Sequence, residues 1–212
     1  MNVNENSFII RSRILEQLGE QFIKDENIAF LELIKNAYDD DATKIDISIE
    51  DISNSSESKI ILEDNGCGMG LNIIKNAWLE ASTCINSIDK TPIYHRHKLG
   101  EKGIGRLAAQ RLGHKIVLIS KEKGTTSEAF LVVDWRDITH YKYIDEVPVN
   151  MGVRAAKIFT GNKTGTKIII SYLKQKWDKI KIDELYHSIN TFINQFNEMQ
   201  NFEIILNGKI IK

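Results

Sequence analysis

Two runs, KIDISIE (44–50) and KIILED (59–64), limit the fold of this chain more than any other stretch. The first alternates Ile45, Ile47 and Ile49 with polar residues, the period of a strand that buries one face. The polar stretch SNSSES (53–58) separates it from the second run, so the pair is expected to form a hairpin. Just upstream, residues 27–40 carry apolar residues at helical spacing. At about 100° per residue, Phe30, Leu33, Ile34, Ala37 and Tyr38 fall on one side, and Glu32, Lys35, Asn36 and Asp39 on the other. An amphipathic helix feeding a one-sided hairpin has an obvious packing solution: the apolar faces meet.

The same signatures continue along the chain. Helices are expected over 12–22, 71–80, 104–112 (closed by Gly113) and 179–197. Strands are expected over 114–120, 128–135, 166–171 and 202–206, the first two joined by the turn KEKGTTS and the last followed by the turn Asn207-Gly208. Residues 81–99 read as irregular, and 136–163 as a long excursion. Helices, then antiparallel hairpins, then helices imply an α+β protein. We expect a two-layer α/β sandwich, its sheet mixed but mainly antiparallel and covered by helices on one face. No repeat or low-complexity linker divides the 212 residues, so a single domain over 1–212 is expected.

Lys and Arg number 28 against 29 Asp and Glu, which gives no basic excess to argue for nucleic acid or an anionic membrane. No stretch approaches 18 apolar residues, and the N-terminus lacks the apolar core of a signal peptide. Cys67 and Cys84 form no CxxC pair and no zinc spacing. A cytoplasmic protein with inert thiols is the simplest expectation. The five histidines, His95, His97, His114, His140 and His187, sit in no recognisable phosphoacceptor helix.

Four stretches carry candidate chemistry. In ELIKNAYDDDAT (32–43), Glu32, Asn36 and Asp39 share a helix face. That face is either solvated or a metal and phosphate face, since magnesium takes oxygen ligands and keeps several waters, and a Glu one turn away can deprotonate one. In DNGCGMG (64–70), Asp64 ends a strand, where its carboxylate can accept from an adenine amine, and Gly66 and Gly68 let backbone approach a flat base. A plain turn is the bland alternative. In LGEKGIGRLAAQRLG (99–113), Gly100, Gly103 and Gly105 precede a helix, an arrangement suited to wrapping phosphate or serving as a connector. Finally, Gly165-Thr166 opens a strand with a hydroxyl. No P-loop pattern is present. Gly103-Ile104-Gly105-Arg106-Leu107-Ala108 fits a relaxed dinucleotide fingerprint but follows no apolar strand, so that reading fails.

In this order the four stretches resemble the nucleotide site of the GHKL ATPases, the superfamily of gyrase B subunits, heat-shock chaperones, histidine kinases and MutL. The similarity covers roughly 12–171, and ELIKNAYDDDATKIDISIE is most similar to the chaperone and mismatch-repair branches. The segment 134–173 resembles MORC-like ATP-binding proteins.

The resemblance implies a Bergerat-type fold that takes ATP and Mg2+. It implies Glu32 as the base that activates water, Asn36 as the magnesium ligand and Asp39 as a pocket wall. Asp64 would accept from the adenine amine, and Gly66 and Gly68 would flank the base with Asn65 and Met69 as neighbours. Gly100, Lys102, Gly103, Ile104, Gly105 and Arg106 would form the ATP lid. Thr166 would bond the adenine-side water and Asp64. It also implies an ATPase module whose lid closure and ATP-dependent homodimerisation, with residues 1–12 exchanging between protomers, drive a longer protein of which this is the N-terminal part. A following domain would supply a basic residue to the terminal phosphate. A nucleotide switch without turnover and a histidine-kinase-type catalytic domain are the alternatives. The effector is not legible in these residues.

Overall fold

The computed structural model describes residues 11–12, 23–50, 57–79, 91–99, 105–195 and 201–211. The first helix among the described residues, α1 (Glu26–Asp39), starts where Asp25, in extended backbone, accepts the N–H of Asn27 at 2.6 Å. The expected apolar side of α1 is buried: Ala29, Phe30, Leu33, Ile34, Ala37 and Tyr38 are each at most 3 % exposed. Asp40 closes the helix, its N–H returning to the Asn36 carbonyl.

Strand β1 (Lys44–Glu50) follows within four residues and pairs antiparallel with β2 (Lys59–Asp64), Ile45 opposite Asp64 and Glu50 opposite Lys59. Helix α2 (Leu71–Leu79) comes next, and after residues 91–99 helix α3 (Gly105–Leu112) leads straight into β3 (Gly113–Lys121). Gly113 is therefore not a helix cap. It is the first residue of the strand, where a Cβ would come within 2.6 Å of Ile170. The hairpin partner β4 (Ser127–Asp134) ends at two short 3-10 helices, Trp135–His140 and Ile144–Glu146, within the expected excursion. That excursion also contains β5 (Asn150–Ala155), which its weak alternation concealed. Then come β6 (Gly165–Leu173), α4 (Lys179–Gln195), β7 (Glu203–Leu206) and β8 (Lys209–Ile211), the last a short strand beyond the turn Asn207-Gly208.

Among the described residues these strands make one sheet, in the order β5-β4-β3-β6-β2-β1-β7-β8. Only β1 and β7 run parallel. The sheet is thus mixed and mainly antiparallel, as expected. Alternate residues of the central strands, Ile47, Ile60, Leu62, Ile116 and Ile170, share one core with α1, α3 and α4. A smaller cluster packs Ile74 of α2 against Leu118, Leu131 and Val133. The opposite face carries charged side chains paired across strands, Lys167 with Glu63 at 2.8 Å and Lys59 with Glu50 at 3.7 Å. Such exposed pairs add little stability, but they mark the face the helices leave open. The helix expected over 12–22 lies outside the described residues. Arg11 and Ser12 pair within this chain, against Tyr143, Lys142 and Tyr141. Among the described residues no helix is long and apolar enough to cross a membrane.

Candidate functional site

Strand parity determines where Asp64 points. Ile60 and Leu62 are buried under the helices, so Asp64, two residues on, belongs to the same face. It is the last residue of β2, and there its Oδ1 accepts the Gly66 N–H at 2.9 Å and the Thr166 N–H at 3.1 Å. Burial pushes its carboxyl up to about 7, the nearby charge of Asp40 pushes in the same direction, and the two amide bonds pull it back.

The loop after Asp64 is held from three sides. The Gly68 N–H donates to Asp40 Oδ2 at 2.7 Å, and the Cys67 N–H to the Asp40 carbonyl at 2.8 Å. The Thr164 hydroxyl donates to the Gly66 carbonyl at 2.7 Å. The Met69 N–H donates to Ser120 Oγ at 2.7 Å, and that hydroxyl also contacts Thr166 Oγ1 at 2.8 Å. Gly68 sits at φ +70, and a Cβ there would fall 2.0 Å from the Lys121 carbonyl. Its glycine is thus required by the loop's own packing and backbone geometry. Gly165, at φ +135, is under the same constraint from the Asp64 carbonyl at 2.1 Å.

Burial raises Asp40 to about 6; the Gly68 N–H opposes this and the charge of Asp41 adds to it. Burial likewise pushes the Cys67 thiol up, with Asp40 and Asp41 reinforcing it, a shift that disfavours the reactive thiolate.

The second half of the site is the polar side of α1. Glu32 is only partly exposed and forms an ion pair with Lys35, Oε1 to Nζ 2.7 Å. Asn36, one turn further along, is exposed. Asp39 Oδ1 accepts the Leu99 N–H at 2.8 Å. The end of this helix meets the Asp64 loop through Asp40, so the two halves are physically joined. Asn36, with Glu32 one turn away, offers an amide oxygen toward solvent. That fits a magnesium ion that takes one protein ligand and fills its shell with phosphate and water. Among the described residues no cluster of three His, Cys, Asp or Glu could hold a metal by itself.

The structure therefore brings together Asp64, Gly66, Gly68, Met69 and Thr166 at the strand ends, and aligns Glu32, Asn36 and Asp39 on the adjoining helix. Asn65 turns the other way: its Oδ1 accepts the N–H groups of Thr43 and Lys44, both at 2.9 Å, and it fastens the start of β1. Thr166 reaches Asp64 through its backbone N–H, while its hydroxyl is engaged with Ser120. Gly100, Lys102, Gly103 and Ile104 lie outside the described residues. Gly105 and Arg106 begin α3. Sequence reasoning missed Asp40, Ser120 and Thr164. The run Asp39-Asp40-Asp41 was visible, but the amides its carboxylates hold, those of Leu99, Gly68, Ile93 and Tyr94, are 28 to 60 residues away.

The family model for histidine kinase-, DNA gyrase B- and HSP90-like ATPases matches residues 24–166. The chain belongs to this family. The match begins just before α1 and ends at Thr166, so it contains both halves of the site. A protein of Herpetosiphon aurantiacus named "Putative type II restriction enzyme HgiDII" is 26% identical over 201 residues, covering 92% of this chain. This GHKL-type chain spans only 30% of that relative's length. Two crystal structures of the ATPase region of Saccharomyces cerevisiae topoisomerase II, one bound to ICRF-187 (dexrazoxane), share its fold. They superpose with TM-scores of 0.61 and 0.60 at 14% identity, over 87% of this chain and 48% of theirs.

Proposed function

We propose that this GHKL domain binds and hydrolyses ATP, and that its cycle drives a longer protein. The observation that carries the reading is the union of two features: a half-buried carboxylate at a strand end, Asp64, and a polar helix face, Glu32 and Asn36, joined to it through Asp40. Asp64 as a carboxylate accepts from the exocyclic amine at C6 of adenine, where guanine carries a carbonyl oxygen that cannot donate. Asn36 would hold magnesium, which when bound would neutralise phosphate charge. Glu32 orients a water and takes its proton as the oxygen attacks the terminal phosphorus, and the bond to the bridging oxygen breaks toward ADP. The glycine-rich stretch from Gly100 to Arg106 covers the phosphates.

A second reading has a specific observation behind it. Lys35 holds Glu32 Oε1 at 2.7 Å, which engages one of the two oxygens that would take a proton from water. In that case the domain is a nucleotide-dependent switch with slow turnover until Lys35 is drawn away. The restriction-enzyme relative favours a role in which nucleotide state governs action on DNA by another part of a longer chain. Dimerisation on ATP fits the same scheme.

The test is a thermal melt with ATP or GTP, each with and without magnesium, followed by phosphate release. A ligand at about 100 times its dissociation constant adds about 2.7 kcal/mol, readily seen as a shifted midpoint. ATP with magnesium should shift it and GTP should not. Phosphate release that disappears in Glu32→Ala while binding persists supports hydrolysis; binding without release supports the switch. No shift with ATP sinks both, and transfer to a protein histidine would replace them with a kinase.

A further inference from the structure

We propose that Lys121 and Glu128, on the sheet face turned away from the candidate nucleotide site, are positioning residues for that site. They hold the connection between β5 and β6 (residues 156–164), and through it the stretch Thr164–Thr166 that forms the wall beside Asp64. The inference rests on the nucleotide reading above and adds two residues to it.

Strand parity separates the pair from the site it serves. Ser120 points to the helix side of the sheet, where its hydroxyl takes the Met69 N–H and meets Thr166. Lys121, the next residue of β3, points to the other face. That face is the open one, yet Lys121 is only 2 % exposed. The register that sets Ser120 opposite Ala129 brings Glu128 of β4 opposite Lys121, and Glu128 is wholly buried. Two charges out of water at the end of a strand pair are tolerated only with strong hydrogen bonds.

The β5–β6 connection supplies them. Glu128 Oε2 accepts the Ile158 N–H at 3.0 Å and the Phe159 N–H at 3.5 Å, while Oε1 takes Arg154 Nε at 2.8 Å. Burial pushes the Glu128 carboxyl up, but the Ile158 N–H and Arg154 outweigh it and hold the group below the usual carboxylate range. The Lys121 ammonium donates to the Phe159 carbonyl at 3.0 Å and to the Gly161 carbonyl. One charge thus takes the amides of this short stretch and the other its carbonyls, and Phe159 is buried between them and solvent.

Only two residues separate Gly161 from Thr164, and the turn between is closed by the Lys163 N–H on the Thr160 carbonyl at 3.2 Å. So short a link passes position on. At its end the Thr164 hydroxyl holds the Gly66 carbonyl and the Thr166 N–H holds Asp64. Lys121 also reaches the site by its backbone, since its carbonyl lies 2.0 Å from where a Cβ on Gly68 would fall. If the wall were free to drift, only a fraction of molecules would be competent to bind, and apparent affinity would fall by that fraction.

The experiment compares wild type with Lys121→Met, which keeps the side chain's length and removes its donors. Amide hydrogen exchange is read without ligand. Binding is measured for adenosine, and for ATP with and without magnesium. In Lys121→Met the amides of Ile158, Phe159 and Thr166 should exchange at least about tenfold faster while β1 and β2 stay protected. The wall stands at the base end of the site, so affinity for adenosine and for ATP should fall by the same factor, about tenfold. The ratio of ATP affinities with and without magnesium should not move. Unchanged exchange at Ile158 and Phe159 overturns the hold. Faster exchange there, with Thr166 and adenosine affinity unchanged, overturns its link to the site. A loss confined to ATP, or to its magnesium dependence, overturns the link to the base. If Lys121→Met does not fold, Glu128→Gln, which keeps the shape and loses the charge, decides by the same readings. If wild type binds neither ligand, the proposed function fails with the affinity half of the proposal, and exchange at Ile158, Phe159 and Thr166 still judges the hold.

Discussion

Replacing Asp64 with asparagine should stabilise the nucleotide-free protein while removing its nucleotide affinity. The Asp64 carboxyl is raised from its ordinary 3.8 to about 7, chiefly by burial. The sign follows from linkage: below pH 4 the acid is protonated folded or unfolded, and it costs nothing. Between pH 4 and 7 the unfolded chain ionises it freely and the folded chain does not, so stability falls as pH rises, and the loss is complete above about 7. About three pH units at 1.36 kcal/mol each bound the loss at about 4 kcal/mol. Asparagine keeps an oxygen for the Gly66 and Thr166 amides, but its NH2 must be accommodated beside Asp40. A net gain of about 2 kcal/mol at pH 8 is expected, or about 4–8 °C in Tm for a chain of this size. The assay is a pair of melting series from pH 4 to 8. The variant's advantage should be greatest at pH 8 and vanish near pH 4, and ATP with magnesium should no longer raise its midpoint. An equal advantage at every pH, or none, would refute the desolvation argument; retained ATP protection would move the adenine site elsewhere.

Asn36→Ala should leave Tm within about 1 °C, because the side chain is exposed, and should abolish the dependence of ATP affinity on magnesium; isothermal titration with and without the metal checks both. Gly165→Ala should cost about 3 kcal/mol or more, since φ is +135 and its Cβ would lie 2.1 Å from the Asp64 carbonyl; denaturant unfolding would show it, and a loss under about 1 kcal/mol would contradict the packing described. Lys35→Met frees Glu32 from its ion partner while keeping a long side chain over Phe192. Single-turnover phosphate release should rise several-fold if that pair restrains the base, and an unchanged or lower rate would show that Lys35 does not hold Glu32 back.

The fold was legible wherever burial was one-sided. The isoleucines of β1, and the apolar stripe of α1 from Phe30 to Tyr38, announce their elements because each faces core on one side and solvent on the other. β5 was not legible, since none of its residues is buried at the sheet edge and they alternate weakly. β8 is three residues long and gives a period no room to appear. Gly113 looked like a helix cap because the sequence cannot tell a glycine that ends α3 from one that lets β3 pass close to Ile170.

For the candidate site the division is similar. Local spacing alone put Glu32 and Asn36 one helical turn apart, and a strand end with glycines marked Asp64. Those features depend on neighbours in sequence, so the sequence determines them. What each carboxylate of Asp39-Asp40-Asp41 does was decided only by tertiary structure, because Leu99, Gly68 and the pair Ile93 and Tyr94 reach them from separate segments. The same holds for Ser120, which gains meaning only when β3 sets it opposite Thr166. The environment that raises Asp64 is also a product of packing, since it requires α1, β3 and β6 to exclude water from the end of β2. Sequence determined which groups could accept, donate or turn; the packed sheet and helices decided which of them meet, because desolvation and long-range hydrogen bonds exist only between segments that folding brings into contact.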